Sequence, residues 1–189
     1  MKRLFSLVCV AMLTIAASAQ ITWNAKAGFG AATCWGDDTN NLKTHTVAKI
    51  GVGLEYPLNQ NWSLMPSLEF ALKGFEIKDP GLNTKLDLYY LQIPVVAAYR
   101  INLSDSWNMT LKAGPYVGYA VSDKFELIYN GQKQTGDAGV KKFDAGLDAG
   151  VDFEYHRFVF GAEYEIGFLD MYDMSIKNMA FYVTVGWKF

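Results

Sequence analysis

The chain is short of cysteine, histidine and long apolar segments, and each shortage excludes a class of protein. Of its two cysteines, Cys9 lies in an apolar leader and only Cys34 follows, so a secreted form would have no internal disulfide. After residue 19 no run approaches the ~18 apolar residues of a transmembrane helix. Neither histidine stands in a zinc pattern, and no phosphate-binding loop or nucleotide fingerprint occurs. We therefore expect a fold without disulfides, transmembrane helices, metal ions or cofactors.

A surplus of basic residues is also missing. The chain has 17 Lys and Arg against 19 Asp and Glu, whereas proteins that bind nucleic acid need a concentrated basic surface. Aromatic residues make up 15% of the chain, glycines number 17, and the mean hydropathy is close to zero. A barrel wall has a mean hydropathy near zero, because apolar residues that face lipid alternate with polar residues that face the lumen. The composition thus excludes a nucleic-acid partner and is typical of a β-barrel in a membrane.

The first nineteen residues have the features of a secretory signal peptide. Lys2 and Arg3 precede an apolar stretch from residue 4 to 15, and Ala17 and Ala19 fit the small-residue cleavage pattern before Gln20. The apolar stretch is shorter than the ~20 residues that a spanning anchor needs. We predict a cleaved signal peptide at residues 1–19 and a single domain at residues 20–189.

The segment from residue 143 to 155 alternates strictly between two classes of side chain. Phe143, Leu147 and Phe153 are among its apolar members, and carboxylates such as Asp144 and Asp152 lie between them. A helix would spread these carboxylates around its circumference, so the pattern indicates a strand with one apolar and one polar face. Its length suits a membrane strand of ~9–11 residues with an extension.

The same alternation recurs in seven further segments, at residues 23–31, 48–56, 62–73, 89–100, 107–118, 158–168 and 181–189. Pro66, Pro94 and Pro115 interrupt the pattern, and because proline cannot donate to a ladder we expect a bulge or a bend at each. The connections alternate between short ones (57–61, 102–106, 156–157) and longer polar ones (34–46, 77–87, 122–142, 170–175). These features predict an all-β protein, an eight-stranded antiparallel up-and-down transmembrane β-barrel with both termini in the periplasm.

Two further features follow from this arrangement. Aromatic residues near the periplasmic strand ends would form an interfacial girdle: Trp23, Tyr56, Trp62, Tyr99, Trp107, Tyr155, Phe158 and Trp187. In the longest loop, the apolar residues Phe125, Leu127, Ile128 and Tyr129 would extend the fifth and sixth strands above the membrane. Such an extension would present an edge for strand addition by a partner.

The inward face of the predicted barrel is charged. Side chains just fill the interior of eight strands, and buried charges require partners. We therefore predict a network of salt bridges that closes the lumen; a path for ions or protons along the carboxylates is the alternative. The predicted members are Lys26, Lys49, Glu55, Glu69, Lys73, Arg100, Lys112, Asp144, Asp148, Asp152, Glu163, Glu165 and Lys188, with Glu154 on the same face.

Loop residues give weaker indications of chemistry. His45 has Asp37, Asp38 and Ser122 as conceivable partners, but no nucleophile motif is present, so we expect no catalytic residues. The acidic pairs Asp37–Asp38 and Asp170–Asp173 could bind calcium or bridge lipopolysaccharide, although solvated loop acids are the simpler interpretation. Cys34 is expected to be an unreactive thiol near the rim.

Several segments resemble small "porin family" outer-membrane β-barrel proteins of the OmpX-like and PorT-like type. They are the signal peptide, Tyr90-Leu91-Gln92-Ile93-Pro94, Phe143-Asp144-Ala145-Gly146 and the ending Gly186-Trp187-Lys188-Phe189. The resemblance implies the outer membrane of a diderm bacterium. It also implies that the final strand, with Phe181, Val183, Val185, Trp187 and Phe189 on one face, is read by the barrel-assembly machinery.

The sequence therefore predicts a non-enzymatic, monomeric barrel surrounded by outer-membrane lipid. Its role would be envelope integrity or the binding of a protein partner through extracellular loops. An accessory barrel of a secretion or assembly system, PorT-like, is an alternative that the residues do not separate from the first. A soluble periplasmic ligand binder of the lipocalin kind is a third, but it would need an apolar interior and a polar exterior.

Overall fold

The computed structural model describes residues 21–36, 42–79, 82–129, 132–171 and 175–189, which are mostly strand. The predicted cleavage residues Ala17, Ala19 and Gln20 and the loop acids Asp37, Asp38 and Asp173 lie outside these ranges. In this part of the chain no helix is long and apolar enough to cross a membrane. The strands are β1 (Thr22–Gly36), β2 (Leu42–Lys43), β3 (His45–Pro57), β4 (Trp62–Asp79), β5 (Leu82–Asn102), β6 (Trp107–Tyr129), β7 (Gln132–Asp137), β8 (Phe143–Tyr155), β9 (Phe158–Gly167) and β10 (Ile176–Lys188).

Eight long strands form a closed ring, each antiparallel to its neighbours along the chain. β1 pairs with β3 on one side and with β10 on the other, from Asn24↔Lys188 to Gly36↔Ile176. The remaining order is β4, β5, β6, β8 and β9, and the two short strands β2 and β7 add to β4 and β6. The prediction of an eight-stranded antiparallel barrel is confirmed.

The outer surface is a belt of apolar side chains, as alternation along each strand requires. Phe29, Val52 and Val185 are more than half exposed. At the end where the chain turns through residues 58–61, 103–106 and 156–157, called here the short-turn end, outward aromatic rings pair across strands. Ring centroids lie 5.0 Å apart for Trp62–Tyr99, 4.9 Å for Trp107–Tyr155 and 4.5 Å for Phe158–Trp187. These pairs form the predicted girdle.

At the opposite end, the hairpin end, the strands continue further than the sequence pattern predicted. Residues 77–87, expected to be a polar loop, lie largely in the hairpin of β4 and β5. β6 runs to Tyr129, as its apolar residues predicted, but beyond Tyr119 it pairs with β5 and β7 and not with β8, which begins at Phe143. Cross-strand contact between Leu86 and Phe125, which are opposite each other, explains why this extension stays ordered. These hairpin-end parts of β4, β5 and β6, with β2 and β7, are called the protruding sheet.

The three prolines mark interruptions of the ladders and not bulges. The β3–β4 ladder is interrupted at Pro66, the β4–β5 ladder at Pro94 and the β5–β6 ladder at Pro115, and each resumes in the same register. The one register shift in these ladders lies at Tyr89/Tyr90. The other five barrel ladders are continuous. Because a proline lacks the N–H donor, the barrel wall has a diagonal line of missing hydrogen bonds, called the wall seam.

Candidate functional site

The site with the most chemistry in this barrel is its lumen, where inward positions of all eight strands bring charged side chains together. At the short-turn end, Lys188 Nζ lies 2.6 Å from both Glu55 Oε2 and Glu154 Oε1. Arg100 reaches across the lumen to Glu55 Oε1 at 2.7 Å and to Glu154 at 3.4 Å. The Thr110 hydroxyl also donates to Glu154, at 3.2 Å. Two cations and two carboxylates thus close this end of the lumen.

The middle of the lumen is built around Glu163 and Glu69. Lys26 Nζ lies 2.7 Å from Glu69 and 2.8 Å from Glu163. Lys112 Nζ lies 2.6 Å from Glu163 and 2.7 Å from Asp152. The lysines come from β1 and β6 and the carboxylates from β4, β8 and β9, so the bonds cross the barrel and not only neighbouring strands.

Lys49 joins this group to the next one towards the hairpin end. Its ammonium bonds to Glu163, lies 3.0 Å from Glu165 and 3.4 Å from Glu69, and stands over the Tyr182 ring at 4.5 Å. The side chain of Lys49 has no exposed surface. An ion buried this completely requires several partners, because its desolvation costs several kcal/mol.

A group rich in tyrosine lies nearest the hairpin end. Lys73 Nζ lies 2.8 Å from Glu165 and 3.6 Å from Asp144, over the Tyr116 ring at 4.2 Å. The Tyr116 hydroxyl and the Asn178 amide each donate to Asp144 Oδ2, at 3.0 Å. Asp144 is therefore held by two neutral donors and one cation.

All thirteen residues predicted for the lumen line it, and together with Glu154 we call them the lumen network. Asp148 differs from the rest, because no cation of the described chain lies within salt-bridge distance and its Oδ1 has no hydrogen-bond partner. It borders a small cavity of about 40 Å³ that Lys112 and Asp152 also line. The three carboxylates Glu69, Glu163 and Glu165 have oxygens within 4.8 Å of one another, but ammonium groups of Lys26 and Lys49 lie where a metal ion would bind.

A compact apolar layer covers the network at the hairpin end. We call it the lid cluster: Cys34, Phe75, Leu86, Leu88, Tyr90, Ala120, Val140, Met171 and Ile176. Val140 and Met171 come from connections between strands and close the mouth of the barrel. Asp123 holds the first of these connections, since its Oδ2 accepts the N–H groups of Gly139 at 2.9 Å and Val140 at 3.2 Å.

Sequence reasoning did not identify several of these residues. Tyr116, Asn178 and Gln92 lie at inward positions. The signal that could have identified them is a polar side chain at an inward position of the alternating pattern. Gln92 Nε2 donates to Glu165 at 2.9 Å. The lid cluster had a weaker signal, since Leu86 lies in the segment 77–87 that was interpreted as a loop, and Leu88 lies between that loop and the predicted strand 89–100.

His45 and Asp170, two of the residues considered for other chemistry, have partners that sequence reasoning did not propose. His45 Nε2 lies 2.9 Å from Asp87, a residue that sequence reasoning had not proposed as its partner. Asp170 lies 3.5 Å from Lys177, so an ion pair accounts for it. Cys34 is free and buried within the lid cluster, in a more enclosed position than the rim predicted from the sequence.

Comparisons with known proteins agree with this geometry. A family model described as outer membrane protein beta-barrel domain matches residues 16–173, and a search of curated proteins found no match. Among solved structures, Ail, the attachment invasion locus protein of Yersinia pestis, has 19% identity and a TM-score of 0.50, covering 89% of this chain and 98% of Ail. Neisserial surface protein A has 14% identity and a TM-score of 0.51, covering 88% and 97%. OprG from Pseudomonas aeruginosa has 11% identity and a TM-score of 0.50, covering 90% and 97%. At these identities the structures show a shared fold alone.

Proposed function

The chain belongs to the outer membrane protein beta-barrel domain family, and we propose that it is a closed, non-enzymatic barrel that holds a partner-binding sheet at the cell surface. In this proposal the short-turn end faces the periplasm with both termini, and the hairpin end faces outwards. The chain works as a monomer in outer-membrane lipid, which it enters through its final strand and the assembly machinery.

The observation that carries the proposal is the set of ion pairs that crosses the lumen. The lumen network joins cations and carboxylates across the barrel from Lys188 at one end to Lys73 near the other. The lid cluster lies above it, at the hairpin end. In the proposed closed barrel these two layers leave no continuous aqueous path, which favours a role other than transport through the lumen.

The exposed part available for binding is the protruding sheet. Among the described residues β7 pairs with β6 alone, so its other edge presents backbone groups to which an extended segment of a partner could add. Its outward face carries charges of both signs, with Lys133 2.7 Å from Glu126. These features support partner binding by strand addition more than binding of a small molecule.

A deletion strain tests this role and separates it from a secretion accessory. The strain is complemented with the full chain or with a chain that lacks β7, and both are scored for envelope integrity, surface binding and protein secretion. We expect the chain without β7 to restore the barrel and envelope integrity but not surface binding. Full restoration of binding without β7 would overturn the proposal, and a defect in secretion alone would favour the accessory role.

A further inference from the structure

The outward surface carries a concave place near the short-turn end. Trp23, Val52, Leu54, Pro66 and Leu68 line a groove with a volume of about 230 Å³, called here the outer groove. Trp23 and Val52 are more than half exposed, and Leu68 is 46% exposed. An apolar concave surface buries more of a bound hydrocarbon chain than a convex one does.

The outer groove lies at one of the places where the backbone ladder of the barrel wall is interrupted. The β3–β4 ladder passes from Gly53↔Ser67 directly to Tyr56↔Leu64, so Leu54 and Pro66 stand in an interruption of the wall seam. Leu54, Pro66 and Ser67 also line the lumen cavity that Lys112 and Asp152 border. The groove and the cavity are therefore separated by a single layer of wall in which the backbone ladder is interrupted. Such a wall can open locally more readily than a fully paired one.

The position of the groove determines the chemistry of its occupant. It is continuous with the apolar belt, whose neighbours in a membrane are lipid chains. It also lies beside Trp23, at the level of the aromatic girdle, where a lipid chain meets its head group. A protein partner would need a larger surface than this groove provides.

We infer that the outer groove is a discrete binding site for one hydrocarbon chain of a membrane lipid, from the leaflet at the short-turn end. A lipid bound there exchanges more slowly than the lipids that merely surround the belt. The inference depends on insertion in the membrane and not on the proposed surface binding.

Trp23 provides a probe for this site. The test uses a full-length protein in which Trp23 is the remaining tryptophan, after Trp35→Phe, Trp62→Phe, Trp107→Phe and Trp187→Phe, in phosphatidylcholine vesicles with increasing fractions of chain-brominated phosphatidylcholine. The matched control retains Trp107 in place of Trp23, because Trp107 lies in the girdle, 41% exposed, and outside the groove. Heat-dependent gel mobility verifies the folding of each variant.

We expect quenching of Trp23 to rise in proportion to the brominated fraction, because one bound chain shields it, whereas Trp107 can be quenched by any of several surrounding lipids and should reach half its maximum at a fraction about twofold lower. Val52→Phe, which fills the groove, should bring the Trp23 curve onto the control curve, and Leu68→Phe serves in its place if that variant does not fold. Coincident curves for Trp23 and Trp107 would overturn the inference, as would a high half-point of Trp23 that survives filling of the groove. A loss of surface binding would leave these curves unchanged, so the two proposals fail separately.

Discussion

Lys49 is the residue on which the lumen network converges. Its ammonium contacts carboxylates from β4 and β9 and the ring of Tyr182, and no part of the side chain is exposed. A salt bridge of this kind contributes little net stability compared with a well-packed apolar replacement of the whole group. The loss of one partner is different, because the remaining charges stay buried without compensation.

Replacing Lys49 by methionine should therefore be strongly destabilising. Lys49→Met keeps an unbranched apolar side chain but removes the ammonium, which leaves Glu69, Glu163 and Glu165 short of a cation, and we expect a loss of about 3–5 kcal/mol in the free energy of unfolding. Unfolding by urea in lipid vesicles measures it. Lys133→Met is the matched control, since Lys133 pairs with Glu126 at a side-chain exposure of 58% and should lose about 0–1 kcal/mol.

The double variant Lys49→Met/Glu163→Gln checks the cause. It removes one buried charge of each sign, so part of the lost stability should return. If the double variant is less stable by the sum of the two single losses, the two side chains are not energetically coupled, and Lys49 stabilises the barrel in another way.

Sequence reasoning found the members of the lumen network but not their pairing. Period-two alternation places a lysine on the inward face, which is why Lys26 and Lys112 could be identified. Their meeting at Glu163, on a third strand, depends on how far each strand is staggered against the next as the barrel closes. That stagger is not visible in the alternation of one strand.

Among the structural elements, the connection between β7 and β8 is held in place by its own small set of hydrogen bonds. It enters the mouth of the barrel through Val140 and is held by Asp123, whose backbone carbonyl also accepts the N–H of Ala138 at 2.9 Å. Gly139 has a φ of 67°, a left-handed conformation that glycine adopts without strain. The connection thus depends on a few local hydrogen bonds, which is typical of segments that open independently of the rest of a fold.

Cys34 reports on that opening, because it lies in the lid cluster with Val140. Asp123→Ala removes the acceptor of two N–H groups, and at about 2 kcal/mol of lost local stability we expect labelling of Cys34 by a soluble maleimide to accelerate about thirtyfold. Mass spectrometry of the peptide that contains Cys34 measures the rate. Asp137→Ala, on exposed β7, should leave the rate unchanged; equal acceleration by both variants would mean that the hairpin end loosens as a whole.

The sequence predicted the eight long strands because each buries one face in the lumen and presents the other to lipid. It did not predict the hairpin-end parts of β4 and β5, since neither face there meets a membrane and the polar residues Glu76 and Lys85 suggested a loop. Cross-strand pairing, Glu76↔Lys85 and Phe75↔Leu86, explains why these residues are in strands. At the prolines the sequence predicted a bulge or a bend, and the bulge was wrong for a related reason: a missing donor can interrupt a ladder without adding a residue to either strand.

For the whole molecule, the decisive feature is that two layers of different chemistry, each a proposed closure of the barrel, lie one above the other. The lumen network pairs charged side chains, whereas the lid cluster packs apolar side chains and has no ionised one. In the proposed closed barrel, opening either closure leaves the other in the path between the two barrel ends. The apolar belt and the charged lumen are also the reverse of a soluble ligand-binding barrel, so both closures act within a membrane protein.

This arrangement predicts how ion conductance depends on the two closures. In planar bilayers the unmodified barrel should show no stable conductance steps, because side chains fill an eight-stranded lumen. Asp123→Ala, which releases the lid, should still show none, and neither should Lys49→Ala/Glu163→Ala/Glu165→Ala, which shortens three side chains of the network. The combination of these four substitutions with Arg100→Ala and Lys188→Ala, which remove the cations at the short-turn end, should conduct, since water then has access from both sides. Large stable steps from the unmodified barrel would refute the closed lumen, and conductance of the network variant alone would show that the lid cluster is no barrier to ions.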